Sequence, residues 1–319
     1  MIRNTAALTC SRAISLAFIL LLPACEPGPG GAQPAPESSG AAPEAQPVFH
    51  VAGQLKAKQI NEASGIQAGA GDVFYLHNDD GTKLFLTDAT GRDLGSRDIL
   101  DSSDRDWEDI TRVPGADGPL LVIGDIGDNN AVRSRLSLYF LREPSLDDPP
   151  GPLQVTHRLR FRYPDGPRDA EAMAYDPASG EILVLTKRDQ PPRLYGLPLD
   201  LALWQHEMEA EFLGTVPGFR PPTRADILRN PRRGLWVSQP TGMDISPDGR
   251  LAAVITYRSL YLFSREGSES WVQAFQRQPT EYVGPPGTHD EAVGFSLDGR
   301  SIFVTTEGRP APLYRMDLL

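Results

Sequence analysis

Acidic residues recur along this 319-residue chain at one spacing. Asp106 and Glu108 form an Asp-x-Glu pair, as do Asp169 and Glu171. His289 and Glu291 keep the same interval, and Glu62 aligns with its first position. Residues two apart on a strand point to the same side, so such pairs predict carboxylates converging on one surface. Carboxylates that close raise one another's pKa unless a cation neutralises them. An all-oxygen donor set suits Ca²⁺ or Mg²⁺, and a flexible multi-carboxylate set favours Ca²⁺. A second group lies in His77-Asn78-Asp79 and in the glycine-rich run from Gly124 to Asn130, which carries Asp125, Asp128 and Asn129. That run has neither the spacing nor the terminal Glu of an EF-hand loop. Lys187, Arg188 and Arg258 interrupt the acidic pattern and could hold an anionic group; His77 and His289 could move protons. The competing reading is structural: acids at strand entries can accept backbone N–H groups and close the fold.

The elements that must position these residues repeat. Segments 61–81, 106–129, 169–189, 242–258 and 289–308 each read as an acidic or polar entry, a short apolar strand, a tight turn and a stronger apolar strand. The turns hold Asp-Gly, Ser-Gly or Gly-Asp, which are hairpin signals. Third strands follow at 83–88, 136–143, 193–200, 259–266 and 312–319. Fourth strands are predicted at 93–100, 155–163, 209–216 and 271–278, and the fifth repeat has none. Residues 48–55 supply the missing pattern. The sequence thus predicts an all-β chain, a β-propeller of five four-stranded blades closed by its N-terminal strand. A sixth blade is the alternative, built on a degenerate hairpin within residues 217–240. Because first strands start where second strands end, the polar entries and the second-strand ends should share one mouth of the ring.

Glu62-Ala63-Ser64-Gly65-Ile66, Thr241-Gly242-Met243 and the Ser246-Pro247-Asp248-Gly249 turn resemble the superfamily that contains β-propeller phytases, the esterase-like phytase family and gluconolactonase-like propellers. The resemblance spans most of residues 48–319. It implies a propeller and favours a divalent cation, Ca²⁺ first, in a metal-dependent ester or phosphoester hydrolase; the strand entries and strand ends at the shared mouth supply Glu62, Asp79, Asp106, Glu108, Asp125, Asp128, Asp169, Glu171 and Glu291 as candidate ligands. A non-catalytic propeller that binds a ligand or an envelope protein is the alternative. Fold likeness alone does not carry an activity.

The N-terminal residues read as a targeting segment. Arg3 and Arg12 precede the apolar run Ala13 to Leu22, with no acid before Glu26. Ten residues span about 15 Å as a helix, too short for a bilayer core. Leu22-Pro23-Ala24-Cys25 resembles the bacterial lipobox, which implies cleavage after residue 24, lipidation of Cys25 and anchoring in the bacterial cell envelope. Residues 26–47, rich in Pro, Gly, Ala, Ser and Glu, read as a tether. Cleavage removes Cys10, leaving Cys25 as the last cysteine, so no intrachain disulfide or thiol chemistry is expected. Without Arg3 and Arg12, 29 Lys+Arg face 42 Asp+Glu, a net charge of −13. That balance argues against nucleic acid, and against anionic lipid as the main partner; it permits cations. The chain has no Gly-x-Ser-x-Gly elbow, no phosphate-binding Gly-x-x-x-x-Gly-Lys loop and no His-Glu-x-x-His, so serine-, nucleotide- and zincin-type chemistry lack support.

Overall fold

The computed structural model describes residues 47–200, 207–284 and 290–318. The expected leader, lipobox and Cys25 lie outside the described residues, as does His289. Of the described helices, none is long and apolar enough to cross a membrane.

The described chain is built almost wholly of strands. β1 (His50–Gln54) comes first. β2 (Ala63–Gly69), β3 (Val73–Asn78), β4 (Lys83–Asp88) and β5 (Asp93–Leu100) form an antiparallel meander. β6 (Trp107–Val113), β7 (Leu120–Asp125), β8 (Leu136–Arg142) and β9 (Leu153–Arg162) form the next, joined to the first by a short parallel contact between β5 and β9. β10 (Ala170–Asp176), β11 (Glu181–Thr186), β12 (Arg193–Pro198) and β14 (Glu211–Thr215) follow, with β13 (Met208–Glu209) pairing back onto β9. Then come β15 (Pro240–Ile245), β16 (Leu251–Thr256), β17 (Ser259–Ser264) and β18 (Thr280–Val283). The last sheet has the order β1-β21-β20-β19, with β19 (Asp290–Phe295), β20 (Ser301–Thr306) and β21 (Pro312–Asp317). β1 pairs antiparallel with β21, so the first described strand completes the last sheet, as the repeat count required.

The runs Val73-Phe74-Tyr75-Leu76 and Leu121-Val122-Ile123 are continuous rather than alternating because both faces of each sheet are covered. Side chains alternate between neighbours. Val73 and Tyr75 pack with Trp107, Ile110 and Leu121 of the second sheet, while Phe74 and Leu76 pack with Ala292 and Phe303 of the last. The same division holds onward: Val122 meets Met173 and Val184, Leu183 meets Met243 and Val254, and Ala253 meets Val293 and Val304. Each hydrophobic cluster therefore lies between two consecutive sheets, and the circuit returns to its start. The first strands β2, β6, β10, β15 and β19 line the inside of this circuit, each beside the next and β19 beside β2. This is a β-propeller.

Two segments differ from the sequence reading. Residues 271–278 were expected as a fourth strand; they begin instead with helix α2 (Trp271–Ala274), and β18 supplies the strand further on. Ser270 caps α2, accepting from the Gln273 N–H while the Gln273 side chain accepts from the Ser270 N–H. Trp271, Ala274 and Phe275 fall at i, i+3 and i+4, a single helical face, and all three are buried. The proposed extra hairpin at 217–240 is instead helix α1 (Arg224–Arg229) followed by turns, capped by Thr223.

Candidate functional site

Strand polarity brings first-strand entries and second-strand ends to one mouth. Asp79 N donates to Glu62 O at 3.1 Å, Gly127 N to Asp106 O at 3.2 Å and Lys187 N to Asp169 O at 3.0 Å. At each entry the ladder slips by one residue. The residue left over is Ser64 on β2, Glu108 on β6, Glu171 on β10, Thr241 on β15 and Glu291 on β19. Such a bulge bends the strand and re-aims a side chain. All five bulge residues are buried. Three of the five equivalent positions on the ring thus carry a glutamate.

Glu108, Asp169 and Glu171 each offer a carboxylate oxygen, and the three oxygens lie within 4.8 Å of one another. Lys187 Nζ donates to Glu171 and, at 2.8 Å, to the Tyr257 hydroxyl. Arg188 Nε donates to Asp169 at 2.6 Å, and its guanidinium also reaches Asn129. Among the described residues neither Glu108 nor Glu291 accepts a hydrogen bond. Asp106 interacts electrostatically with Asp169 and Glu108, and Glu291 with Glu171 and Lys187. Five carboxylates therefore lie around Lys187 and Arg188, which pair directly with Glu171 and Asp169 alone. Burial, then repulsion from Glu171 and Asp106, holds Glu108 well above the ordinary carboxylate range. Glu291 is raised by burial and by Glu171. Burial also raises Glu171, to about 7, against the attraction of Lys187, whose own pKa its acidic neighbours raise.

A divalent cation fits this donor set. Ca²⁺–oxygen distances of about 2.3–2.6 Å let two ligands of one ion sit up to about 5 Å apart. Gly127 makes room for it, since a Cβ there would strike the carboxylates of Glu108 and Asp106. Glu108, Asp169 and the second oxygen of Glu171 would be the ligands.

The other predicted residues divide. Glu62 and Asp79 do not join the buried trio. They form a separate, half-exposed group with Asp80, which the sequence reading did not single out. Burial and the neighbouring Glu62 raise Asp79 to about 6. Asp125 is not a free ligand: Arg133 pairs with it at 2.6 Å, both side chains buried. Asp128 accepts from the backbone N–H groups of Val132 and Arg133 at 3.0 and 2.7 Å and so caps its own loop. Arg133 is eight residues beyond Asp125 and five beyond Asp128, and nothing in the spacing announced that the loop folds back on it. Arg258 is not poised for an anion either. It pairs with Asp226 at 2.8 Å and donates to Arg220 O, fastening the segment around α1 to the propeller. His77 is fully buried, edge-on to Trp107, with Nδ1 2.9 Å from Asn78 O. Burial lowers its pKa to about 4, so the ring stays neutral near pH 7.

The structural reading of entry acids holds for Asp109 and Asp244. Asp109 accepts from Ile110, Met173 and Met243 N–H groups at 2.9, 2.7 and 3.1 Å. Asp244 accepts from Ile245 and Phe295, both at 2.8 Å. These bonds tie inner strands together below the glutamate ring. A cavity of about 580 Å³, lined by Gln67, Tyr175, Asp244, Ile245 and Phe295 among others, opens at the opposite mouth, and none of Asp106, Glu108, Asp169, Glu171 or Glu291 lines it.

The raised carboxylates set a pH dependence. Burial lifts Asp244 from 3.8 to about 7, as it lifts Glu171 from 4.5 to about 7. Between the unfolded and folded values the folded chain holds protons that the unfolded chain has lost, so stability falls as pH rises through that window. His77 acts oppositely, and its contribution is complete by about pH 6.5. In chelator, the melting temperature should therefore drop by about 5 °C or more between pH 5.5 and pH 8, given roughly 2–4 °C per kcal/mol. Scanning calorimetry checks this; a flat or rising profile over that window would show these acids to be ionised and compensated already.

No family model matches the chain, and no curated protein matches it. Among solved structures, a gluconolactonase from Xanthomonas campestris is 14% identical, with 81% of this chain and 72% of that chain covered and a TM-score of 0.43. The PQQ-bound aldose sugar dehydrogenase of Streptomyces coelicolor is 12% identical, with 86% and 99% covered and a TM-score of 0.43. Likeness at that level assigns this chain no activity.

Proposed function

We propose that residues 48–319 form a five-bladed propeller that binds a divalent cation, Ca²⁺ by its donor set, at its acidic mouth and hydrolyses a small ester or phosphoester there. The observation that carries this reading is the buried trio Glu108, Asp169 and Glu171, in which Lys187 and Arg188 pair with Glu171 and Asp169 but not with Glu108. Bound there, such a cation would polarise a carbonyl or phosphoryl oxygen and acidify a water. Lys187 orients Glu171 and the Tyr257 hydroxyl. The Arg188 side chain, 39% exposed, is within reach of an anionic substrate group. Glu291, outside the trio and with a raised pKa, can hold a proton near neutral pH. The leader, the lipidated Cys25 and the tether would place this domain on the exported side of a bacterial membrane.

One observation favours a non-catalytic binding propeller instead: the acids are deeply buried, and the pocket beside Lys187 holds only about 150 Å³. Elemental analysis of the purified protein, followed by turnover of aryl esters, a lactone and phosphomonoesters with and without chelator, separates the readings. Bound Ca²⁺ with chelator-sensitive hydrolysis is expected. Bound metal without turnover would leave a binding propeller, and no metal with no response to added Ca²⁺ would overturn the cation site.

A further inference from the structure

The segment between β14 and β15 departs from the rest of the surface. Ile227, Leu228, Leu235 and Trp236 are exposed at 37, 70, 61 and 43%. Among the described residues, four of the twelve exposed large hydrophobic side chains thus fall within ten residues, where the others are scattered along the chain. Helix α1 buries no residue, so the fold gives its apolar side chains no cover. The two pairs lie together because the chain doubles back. Gly234 N donates to Asn230 O at 2.7 Å, and a Cβ on Gly234 would strike Ile227 Cα and Asp226 O. Arg224, Arg229 and Arg232 stand on the same segment, exposed, and pair with no described residue. Its acid, Asp226, is spent on Arg258, and Arg233 lies 3.8 Å from Glu307. The patch is therefore locally cationic on a chain of net charge −11.

We propose that residues 224–236 are a membrane-docking surface that inserts Leu228, Leu235 and Trp236 at the interface of an anionic phospholipid bilayer while the arginines engage headgroups. Exposed aliphatic side chains with a tryptophan, flanked by unpaired arginines, are what an interfacial segment presents. An acidic protein would satisfy the arginines but would leave the four apolar side chains without a reason. The inference does not depend on the cation site. The ion pair of Arg258 with Asp226 fixes the patch to the propeller, so docking would orient the whole domain on the membrane.

The test uses the full chain and a readout local to Trp236, because the leader has an apolar run of its own. Vesicles of phosphatidylglycerol and phosphatidylcholine carrying brominated acyl chains should quench part of the tryptophan emission. Pure phosphatidylcholine vesicles should not. In a Trp204→Phe background, Trp236→Phe should remove that quenching, since the two tryptophans that remain, Trp107 and Trp271, are buried. The triple change Arg224→Ser, Arg229→Ser and Arg232→Ser should weaken binding on the order of 100-fold, at roughly fivefold per arginine near an anionic surface. Leu228→Ser with Leu235→Ser should weaken it without shifting the melting temperature, as both side chains are exposed. Equal quenching in Trp236→Phe, or equal quenching on both lipids, would overturn the proposal. So would a shift of Trp236 emission with polyglutamate but not with vesicles, which would point to an acidic protein.

Discussion

Glu108→Gln is expected to raise the melting temperature of the metal-free protein and to abolish the further rise that Ca²⁺ produces. The two effects share one cause. Glu108 is buried among like charges, and its raised pKa means that ionising it in the folded state costs stability at pH 8. Glutamine keeps the shape and removes the charge. The same charge would hold the ion. A ligand that binds only the folded state stabilises it by RT ln(1 + [L]/Kd), about 2.7 kcal/mol at 100 times Kd. For a domain of this size that is about 5–10 °C. If losing one carboxylate weakens Kd about 100-fold, the gain at the same Ca²⁺ falls to about 0.4 kcal/mol, below about 2 °C. Asp125→Asn is the control. Its partner Arg133 is buried with it, so removing the carboxylate strands a buried guanidinium and should cost about 3 kcal/mol. The Ca²⁺ increment should survive. Thermal melts of the three proteins in chelator and in Ca²⁺ decide the matter. A wild-type melting temperature indifferent to Ca²⁺, Mg²⁺ and Mn²⁺ would remove the basis for the site, whatever Glu108→Gln does to the metal-free protein.

Strand order was legible because it rests on strong local signals: doubly buried strands read as unbroken apolar runs, and Asp-Gly or Ser-Gly turns mark their ends. The pairing of β1 with β21 followed from a missing strand in the last repeat. Helix α2 escaped because Trp271, Ala274 and Phe275 suit a helical face, while the residues between them also fit a strand. The shared mouth was legible; which acids meet there was not. Alternation alone would have paired Asp106 with Glu108, but the bulge at Glu108 and its counterparts re-aims those side chains, and a one-residue slip leaves no mark in composition. Ion-pair partners were hidden too: Arg133 takes Asp125 by the folding back of one loop, and Asp226 takes Arg258 from a separate segment, neither of which sequence spacing announces.

Asp109→Ala should be among the most destabilising single changes in the propeller, although it removes a charge from the same acidic entry as Glu108. One carboxylate on β6 accepts from its own strand and from the N–H groups of Met173 on β10 and Met243 on β15. Burial raises its pKa and the three donors oppose that shift, so the carboxylate serves here as a common acceptor at the axis. Alanine would leave all three donors unpartnered. At about 1–3 kcal/mol for each buried, unsatisfied group, the loss should be at least about 3 kcal/mol, or about 6 °C and more in melting temperature. Asp109→Asn should fall between, because its carbonyl can still accept from Met173 and Met243 while its amide confronts the Ile110 N–H. Urea denaturation measures the loss, and the Ca²⁺ increment separates the two roles: it should persist in Asp109→Ala and vanish in Glu108→Gln. A loss under about 1 kcal/mol would mean that water replaces the carboxylate at the axis. A vanished Ca²⁺ increment in Asp109→Ala would mean that ring closure and the cation site are one structure, since adjacent residues of β6 would then be coupled through the bulge that now separates their tasks.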